Sequence, residues 1–236
     1  MTGPSWQPDE TALAGVEHLD GDYVAAYDTK TGVTGQPPDL ARLVELGLGP
    51  SSTLVDLGAG TGRLALAAAS VCAQAVAVDV SPAMVAALRR RSEQQGVRNL
   101  RVVQAGFLSY EHTGPPVDVV YSRHALHQLP DAWKALALCR IADMLAPGGL
   151  LFLRDLVYCF EPGELTDRLE AWFSGAAASA ADGWTRDELD THVRTEHSTY
   201  SWLLHEIIEH AGLTVEVFEP SAYPSTYAAY VCRKPQ

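Results

Sequence analysis

The chain has 236 residues, 47% of them hydrophobic and 19% charged, a balance typical of globular proteins and a length sufficient for one large buried core. Its formal net charge of −12 argues against a nucleic-acid duplex or an anionic membrane as main partner, because both demand clustered positive charge; the one basic cluster, Arg89-Arg90-Arg91, reads as a solvated helix face. The start Met-Thr-Gly-Pro-Ser-Trp has no positive region followed by an apolar core, and no apolar run reaches membrane-spanning length, so the expected location is the cytoplasm.

Residues 1–50 come first as an N-terminal helical segment, in which Tyr23 and Tyr27 stand four apart and share one helical face. Asp39 is expected to cap a short helix with Leu40, Leu43 and Val44 inward, stopped by Gly47. From Thr53 to Leu153 short apolar runs alternate with helical patterns, as β-α-β units around a parallel sheet do. The strand candidates are Thr53–Leu57, Ala75–Asp79, Leu100–Gln104, Val117–Tyr121 and Leu150–Leu153, most of them apolar at nearly every position. Strands covered on both faces need that pattern, so the expected fold is a doubly wound α/β sheet. Ser81-Pro82 caps one intervening helix, and Leu138, Ile141, Ala142 and Leu145 form the core stripe of another that ends at Pro147-Gly148-Gly149.

Beyond Tyr158 the pattern changes. Glu161–Phe173 and Thr185–Arg194 read as helices, the second opened by the capping box Thr185-x-x-Glu188, with an alanine-rich tract at 175–181 between them. Leu213, Val215 and Val217 then alternate with Thr214 and Glu216, and after 220–224 comes Thr226–Cys232, the two arms of an edge hairpin. The expected organisation is a single domain over 1–236, with a core over 53–158, a helical cap over 159–212 and a hairpin over 213–236. A hairpin edge can be bare or paired with a second copy, which leaves a homodimer open.

The stretch Val55-Asp-Leu-Gly-Ala-Gly-Thr-Gly62 places glycines at alternate positions between a strand and a helix. Such a turn brings a ligand against backbone N–H groups and the positive end of a helix dipole. A triphosphate loop requires a lysine that is absent, and a nicotinamide fingerprint requires its third glycine at position 63, which is Arg63. What stands is Asp56-x-Gly58-x-Gly60-x-Gly62, with Asp79 closing the next strand seventeen positions on, well placed to hold two ribose hydroxyls. These glycines can also serve only a tight turn, and Asp79 only a helix start.

The spacing, together with "AVAVDVSPAM" and "LAPGGLLFLRD", resembles the class I S-adenosylmethionine-dependent methyltransferases over about Thr53 to Asp155. Within that superfamily "YSRHALHQLPDAWKALALCRIADMLAPGGLLFLRDLVY" looks like a branch of small bacterial methyltransferases. The resemblance implies a Rossmann-like, seven-stranded, mostly parallel sheet with a C-terminal antiparallel hairpin, and S-adenosylmethionine as cofactor. It implies that Gly58, Ala59, Gly60, Thr61 and Gly62 let the backbone approach the methionine and ribose parts, while Asp56 holds the loop or the cofactor's ammonium. Asp79 would take the ribose hydroxyls, Val80 and Met84 would sit against adenine, and Ser122-Arg123 would lie beside the methionine moiety. Many relatives carry an Asp after the third strand for the adenine amino group; this chain has Gln104-Ala-Gly-Phe107 there, so Gly106 and Phe107 are expected to supply backbone and ring contacts. Tyr23 and Tyr27 would belong to a lid over the cofactor, or would simply dock their helix.

Methyl transfer from a sulfonium is an in-line displacement that needs alignment and dryness more than a nucleophile. A hydroxyl acceptor is helped by a base, and His124, His127 and Asp155 follow the fourth and fifth strands, where an open α/β sheet places its pocket. Each has a plainer reading, local packing for the histidines and pairing with Arg154 for the aspartate. "HEIIEH" at 205–210 resembles a zinc-protease motif, but its second histidine is five residues on, about 140° away around a helix. The cysteines Cys72, Cys139, Cys159 and Cys232 form no C-x-x-C pair, so neither a disulfide framework nor a metal is expected. In the "EHSTYSW" stretch at 196–202, Ser198 or Thr199 can cap a helix while Tyr200 and Trp202 pack in the core or line a pocket. The reading is therefore a methyltransferase acting on a small molecule at O, N or C, with no nucleic-acid or membrane partner; the alternative is an S-adenosylmethionine-binding protein that transfers no methyl.

Overall fold

The structure is a computed structural model, and it describes residues 4–15, 19, 24, 37–180 and 182–236. Tyr23 and Tyr27 lie outside the described residues. Apolar five- to seven-residue runs become β1 (Thr53–Leu57), β2 (Gln74–Asp79), β4 (Val117–Arg123) and, at the sheet edge, β3 (Leu100–Gln104). With β5 (Leu145–Tyr158) they pair in parallel, and β8 (Tyr227–Arg233) then runs antiparallel between β5 and β7 (Thr214–Pro220). The order across the sheet is β3-β2-β1-β4-β5-β8-β7, and a two-residue β6 (Thr199–Tyr200) adds to the far end of β5. The chain leaves β1 in one direction and returns on its other side as β4, so a crevice opens at the carboxyl ends of these two strands.

Helices cover both faces, which is why the central strands β1 and β2 lack polar alternation. On one face α5 (Asp131–Met144) and α8 (Ser201–His210) bury Leu138, Ile141, Leu204 and Ile208 against Val55, Val76 and Val120. On the other, α2 (Pro38–Glu45) and α3 (Arg63–Ala68) bury Leu40, Leu43, Leu64 and Ala68 against Leu54, Ala75 and Phe152. Helix α4 (Pro82–Gln94) starts at Ser81, whose Oγ accepts from Met84 N at 3.1 Å, and sends Leu88 into a cluster with Ala65 and Ala77. Truncating a buried leucine of either layer to alanine costs about 2–5 kcal/mol.

Three local expectations change. Val44 is 46% exposed, because α2 buries only Asp39, Leu40 and Leu43. Asp39 is not the cap: Pro37 is, and the buried carboxylate accepts from Tyr121 Oη (2.8 Å) and Arg123 (3.1 Å) and pairs with Arg154 (3.0 Å), tying α2 to β4 and β5. Leu145 opens β5 instead of ending α5, and Pro147-Gly148-Gly149 falls inside that strand beside an irregularity in its register with β4. The capping box at Thr185 does open α7 (Arg186–Thr195), which follows α6 (Leu165–Ser174). No helix among the described residues is long and apolar enough to cross a membrane.

Candidate active site

The three glycines after β1 all have positive φ: 73° at Gly58, 54° at Gly60 and 82° at Gly62. Their surroundings differ. A Cβ on Gly58 would stand 2.3 Å from Ala125 Cβ and one on Gly62 2.4 Å from Leu88 Cγ, whereas one on Gly60 would meet nothing within 4 Å. Gly58 and Gly62 are thus required by packing, and Gly60 by its left-handed backbone beside open space. Gly60 N donates to Asp79 Oδ2 at 2.7 Å and Ser81 N donates to Asp79 Oδ1 at 2.9 Å. One carboxylate therefore fixes both turns that border the crevice.

The crevice lies outside the carboxyl ends of β1, β2 and β4, where an open α/β sheet places its ligand. Of the sequence-derived residues, Gly58, Gly60, Asp79, Val80, Met84, Phe107, Arg123 and His124 line it. Asp56, Ala59, Thr61, Gly62, Gly106 and Ser122 do not line it and act from behind. Ser122 Oγ donates to Leu57 O at 2.8 Å, strapping the ends of β4 and β1 together. Ala59 packs against the Ala65, Ala77 and Leu88 cluster. Asp56 is fully enclosed; burial, and then the nearby Asp79 charge, push its carboxyl up to about 8.

Glu10 escaped the sequence reading. Asp9 caps the short helix α1 (Glu10–Leu13), accepting from Thr11 N at 2.9 Å, and the buried Glu10 reaches the crevice wall. Its Oε1 accepts from Leu108 N at 2.8 Å and its Oε2 from Ser109 Oγ at 2.6 Å. A Cβ on Gly106 would fall 2.3 Å from Glu10 Oε1, so the carboxylate occupies the space that a side chain at 106 would fill. Gly106 itself donates its N–H to Ser109 Oγ at 2.8 Å. The one trace of this in the sequence is the glycine at 106, in the stretch Gln104-Ala-Gly-Phe107 that follows β3. Ser81 and Gln128 also line the crevice, and Gln128 donates to Ala14 O at 3.2 Å, holding the end of α1.

The three catalytic candidates separate. His124 lines the crevice with φ 51°, its N–H donating to Arg154 O at 2.8 Å and its ring 5.4 Å from that of Tyr227. Burial, helped by the Arg123 charge, lowers its imidazole to about 3, so it is neutral. His127 and Asp155 sit outside the crevice lining, buried together: His127 Nδ1 donates to Asp155 Oδ1 at 2.5 Å, and Asp155 Oδ2 accepts from His127 N at 3.1 Å. Asp155 thus pairs with His127, while Arg154 goes to Asp39. On its other side His127 Nε2 lies 2.6 Å from Glu196 Oε2, which is also 2.5 Å from His192 Nδ1. Burial alone would lower the His127 imidazole, but Asp155 and Glu196 outweigh it and raise it to about 9. Burial likewise opposes the charges of Asp155 and Glu196, and the imidazoles beside them hold both below the usual carboxylate range. Tyr200 stacks on Trp202 at 6.0 Å, and Trp202 is exposed.

Residues 54–149 match the family model described as a methyltransferase domain. Among curated proteins, the ubiquinone biosynthesis O-methyltransferase of Xanthomonas campestris is 34% identical over 108 residues, 45% of this chain and 44% of that protein. The chain therefore spans less than half the length of such relatives. Among solved structures, the [4+2]-cyclase SpnF shares 16% identity with a TM-score of 0.69, covering 100% of this chain and 99% of that one. The magnesium protoporphyrin IX methyltransferase of Synechocystis, solved with SAH bound, shares 14% identity with a TM-score of 0.65, covering 97% and 100%. At those identities the likeness speaks for the fold alone. The glycine turn and the aspartate closing β2 both lie within the matched segment, so residues 54–149 are similar to the methyltransferase domain family.

Proposed function

We propose that the crevice binds S-adenosylmethionine and that the protein transfers its methyl group to a small molecule. The observation that carries this is the pair of carboxylates on one wall, Asp79 at the end of β2 and Glu10 behind Gly106. Among the described residues, Asp79 accepts from Gly60 N and Ser81 N, and Glu10 accepts from Leu108 N and Ser109 Oγ. In this reading Asp79 meets the two ribose hydroxyls and Glu10 an exocyclic amine, both being acceptors suited to those donors. Glu10 thereby takes the adenine contact that many relatives give to an aspartate after β3, while Val80, Met84 and Phe107 supply apolar walls. The cofactor supplies an electrophilic methyl group when bound. On the opposite wall Arg123 is held by Asp39, and the neutral His124 offers a ring nitrogen able to accept an acceptor's proton. A group lowered to about 3 is a weak base, so His124 is better suited to orienting an acceptor through a hydrogen bond than to removing a proton from an alcohol. His127, tied to Asp155 behind the crevice lining, serves to position the turn that carries His124. The curated relatives named O-methyltransferases favour oxygen as the acceptor atom.

A second reading has an observation behind it: the full-length likeness to a protein named a cyclase means that this fold does not by itself imply methyl transfer. Calorimetric titration with S-adenosylmethionine and S-adenosylhomocysteine, followed by a labelled-methyl screen of hydroxylated aromatics, separates the two. Binding with label transfer supports the transferase. Binding with no transfer to any acceptor moves the assignment to cofactor-dependent chemistry without methylation, and absence of binding removes both.

A further inference from the structure

Beside the crevice, two imidazoles and a carboxylate converge on one point. Glu196 Oε2 lies 2.6 Å from His127 Nε2 and 2.5 Å from His192 Nδ1, with all the ligand atoms within 4.8 Å of one another. Neither contact has hydrogen-bond angles, so a buried carboxylate oxygen is left without a hydrogen-bond partner. The far sides of both rings are tied: His127 Nδ1 to Asp155 Oδ1 at 2.5 Å and His192 Nε2 to Ser198 Oγ at 3.2 Å. Fixing the outer nitrogen of a histidine is what directs the lone pair of its inner nitrogen at an ion. We infer that His127, His192 and Glu196 form a mononuclear site for a divalent transition metal, zinc being the ion their chemistry suits best.

The fold prepares these groups in advance. His192 sits in the last turn of α7, four residues before Glu196, on a helix fixed by its capping box. His197 N donates to His127 O at 2.9 Å, Lys134 Nζ donates to His197 O, and Thr199 pairs with Val157 of β5. Glu196 is thus held from its C-terminal side onto the turn that carries His127. Two imidazoles and one carboxylate, without thiolate, favour zinc, cobalt or iron(II) over the all-oxygen sites of magnesium and calcium, and three protein ligands leave a coordination position open. Metal–ligand bonds of about 2.0–2.1 Å hold tetrahedral donors roughly 3.4 Å apart, so each of the two nitrogen–oxygen separations lengthens by roughly 0.8–0.9 Å to admit the ion. A row of ring contacts, His192 to Trp172 (5.8 Å), Trp172 to Tyr227 (5.9 Å) and Tyr227 to His124 (5.4 Å), leads from the ion's position to the crevice wall.

The test uses the full chain stripped with EDTA and titrated with Co²⁺, in the absence of S-adenosylmethionine, so that its outcome is independent of the proposed reaction. Expected is one equivalent bound, with visible d–d absorption, displacement by Zn²⁺ and two contact-shifted imidazole N–H resonances, one per histidine. His192→Ala and Glu196→Gln should each weaken binding by more than the roughly 10–100-fold expected of Asp155→Asn, which loosens only the outer tie of His127. Circular dichroism checks that the variants fold; should they not, the wild-type resonances decide. No stoichiometric uptake, no shifted imidazole protons, or folded variants that bind like the wild type would each overturn the site and leave a proton-bonded cluster.

Discussion

The crevice and the buried histidine–carboxylate cluster are neighbours across a row of aromatic rings, yet they are built by different means. The crevice is made mostly of backbone from two β-α turns, with Asp79 accepting N–H groups from both. The cluster is made of side chains brought from the turn after β4, from β5 and from the end of α7, spanning residues 127 to 196. A backbone site is local and marked by glycines; a polar side-chain site is assembled by tertiary structure and carries no local mark. The two also differ in what their loss costs, because one exposes backbone to solvent and the other strands charges in the interior.

The largest effect is expected in the cluster. His127→Ala leaves Asp155 and Glu196 without the imidazole between them, and breaking one partner of a buried ionic pair costs about 3–5 kcal/mol; chemical denaturation measures it, and a loss below about 1 kcal/mol would show the cluster to be energetically idle. Next come the glycines, which split the crevice itself. Gly62→Ala, with φ 82° and Leu88 2.4 Å from the new Cβ, should cost about 1–3 kcal/mol of stability. Gly60→Ala meets no neighbour and should lose less stability but more cofactor affinity. Equal profiles for the two would erase the distinction drawn between a packing glycine and a ligand-facing one.

Asp79→Ala should weaken S-adenosylhomocysteine binding by at least about 1.5 kcal/mol through lost charge-assisted hydrogen bonds, and calorimetry that finds affinity unchanged removes the ribose assignment. Asp56 has the reverse sign from a paired carboxylate. Its folded-state value is raised from 3.8 to about 8, so ionisation opposes folding and the protein should lose stability as pH rises from about 4 through about 8. Asp56→Asn should flatten that slope and gain about 1 kcal/mol near pH 8, since the buried amide keeps its own desolvation cost; a melting-temperature profile parallel to that of the wild type would contradict it. The smallest effect is expected for Glu10→Gln, a severalfold loss of S-adenosylhomocysteine affinity with the fold intact.

The sheet was legible because parallel strands covered on both faces have nearly continuous apolar runs, and those runs ended within a few residues of β1, β2, β3 and β4. The length of β5 was not: Asp155 interrupts the apolar pattern, and the His127 imidazole together with the N–H groups of His127 and Leu156 makes a buried aspartate tolerable there. Asp79 and Gly60 could be read from spacing because strand, turn and helix fix them within one unit. Glu10 could not, since the N-terminal helix meets the loop after β3 across ninety-eight positions of chain. His192 and Glu196 were hidden for the same reason, and "HEIIEH" drew the eye instead to His205 and His210, on α8.

Glu10 fills the hollow behind Gly106 and satisfies Leu108 N and Ser109 Oγ. Any cut that removes the first ten residues, whether a protease nick or an overzealous trimming of a purification tag, therefore does more than shorten an end. It opens a void under the loop after β3 and orphans two hydrogen-bond donors at the crevice wall, damage that would present as a binding defect nearly a hundred residues from the cut.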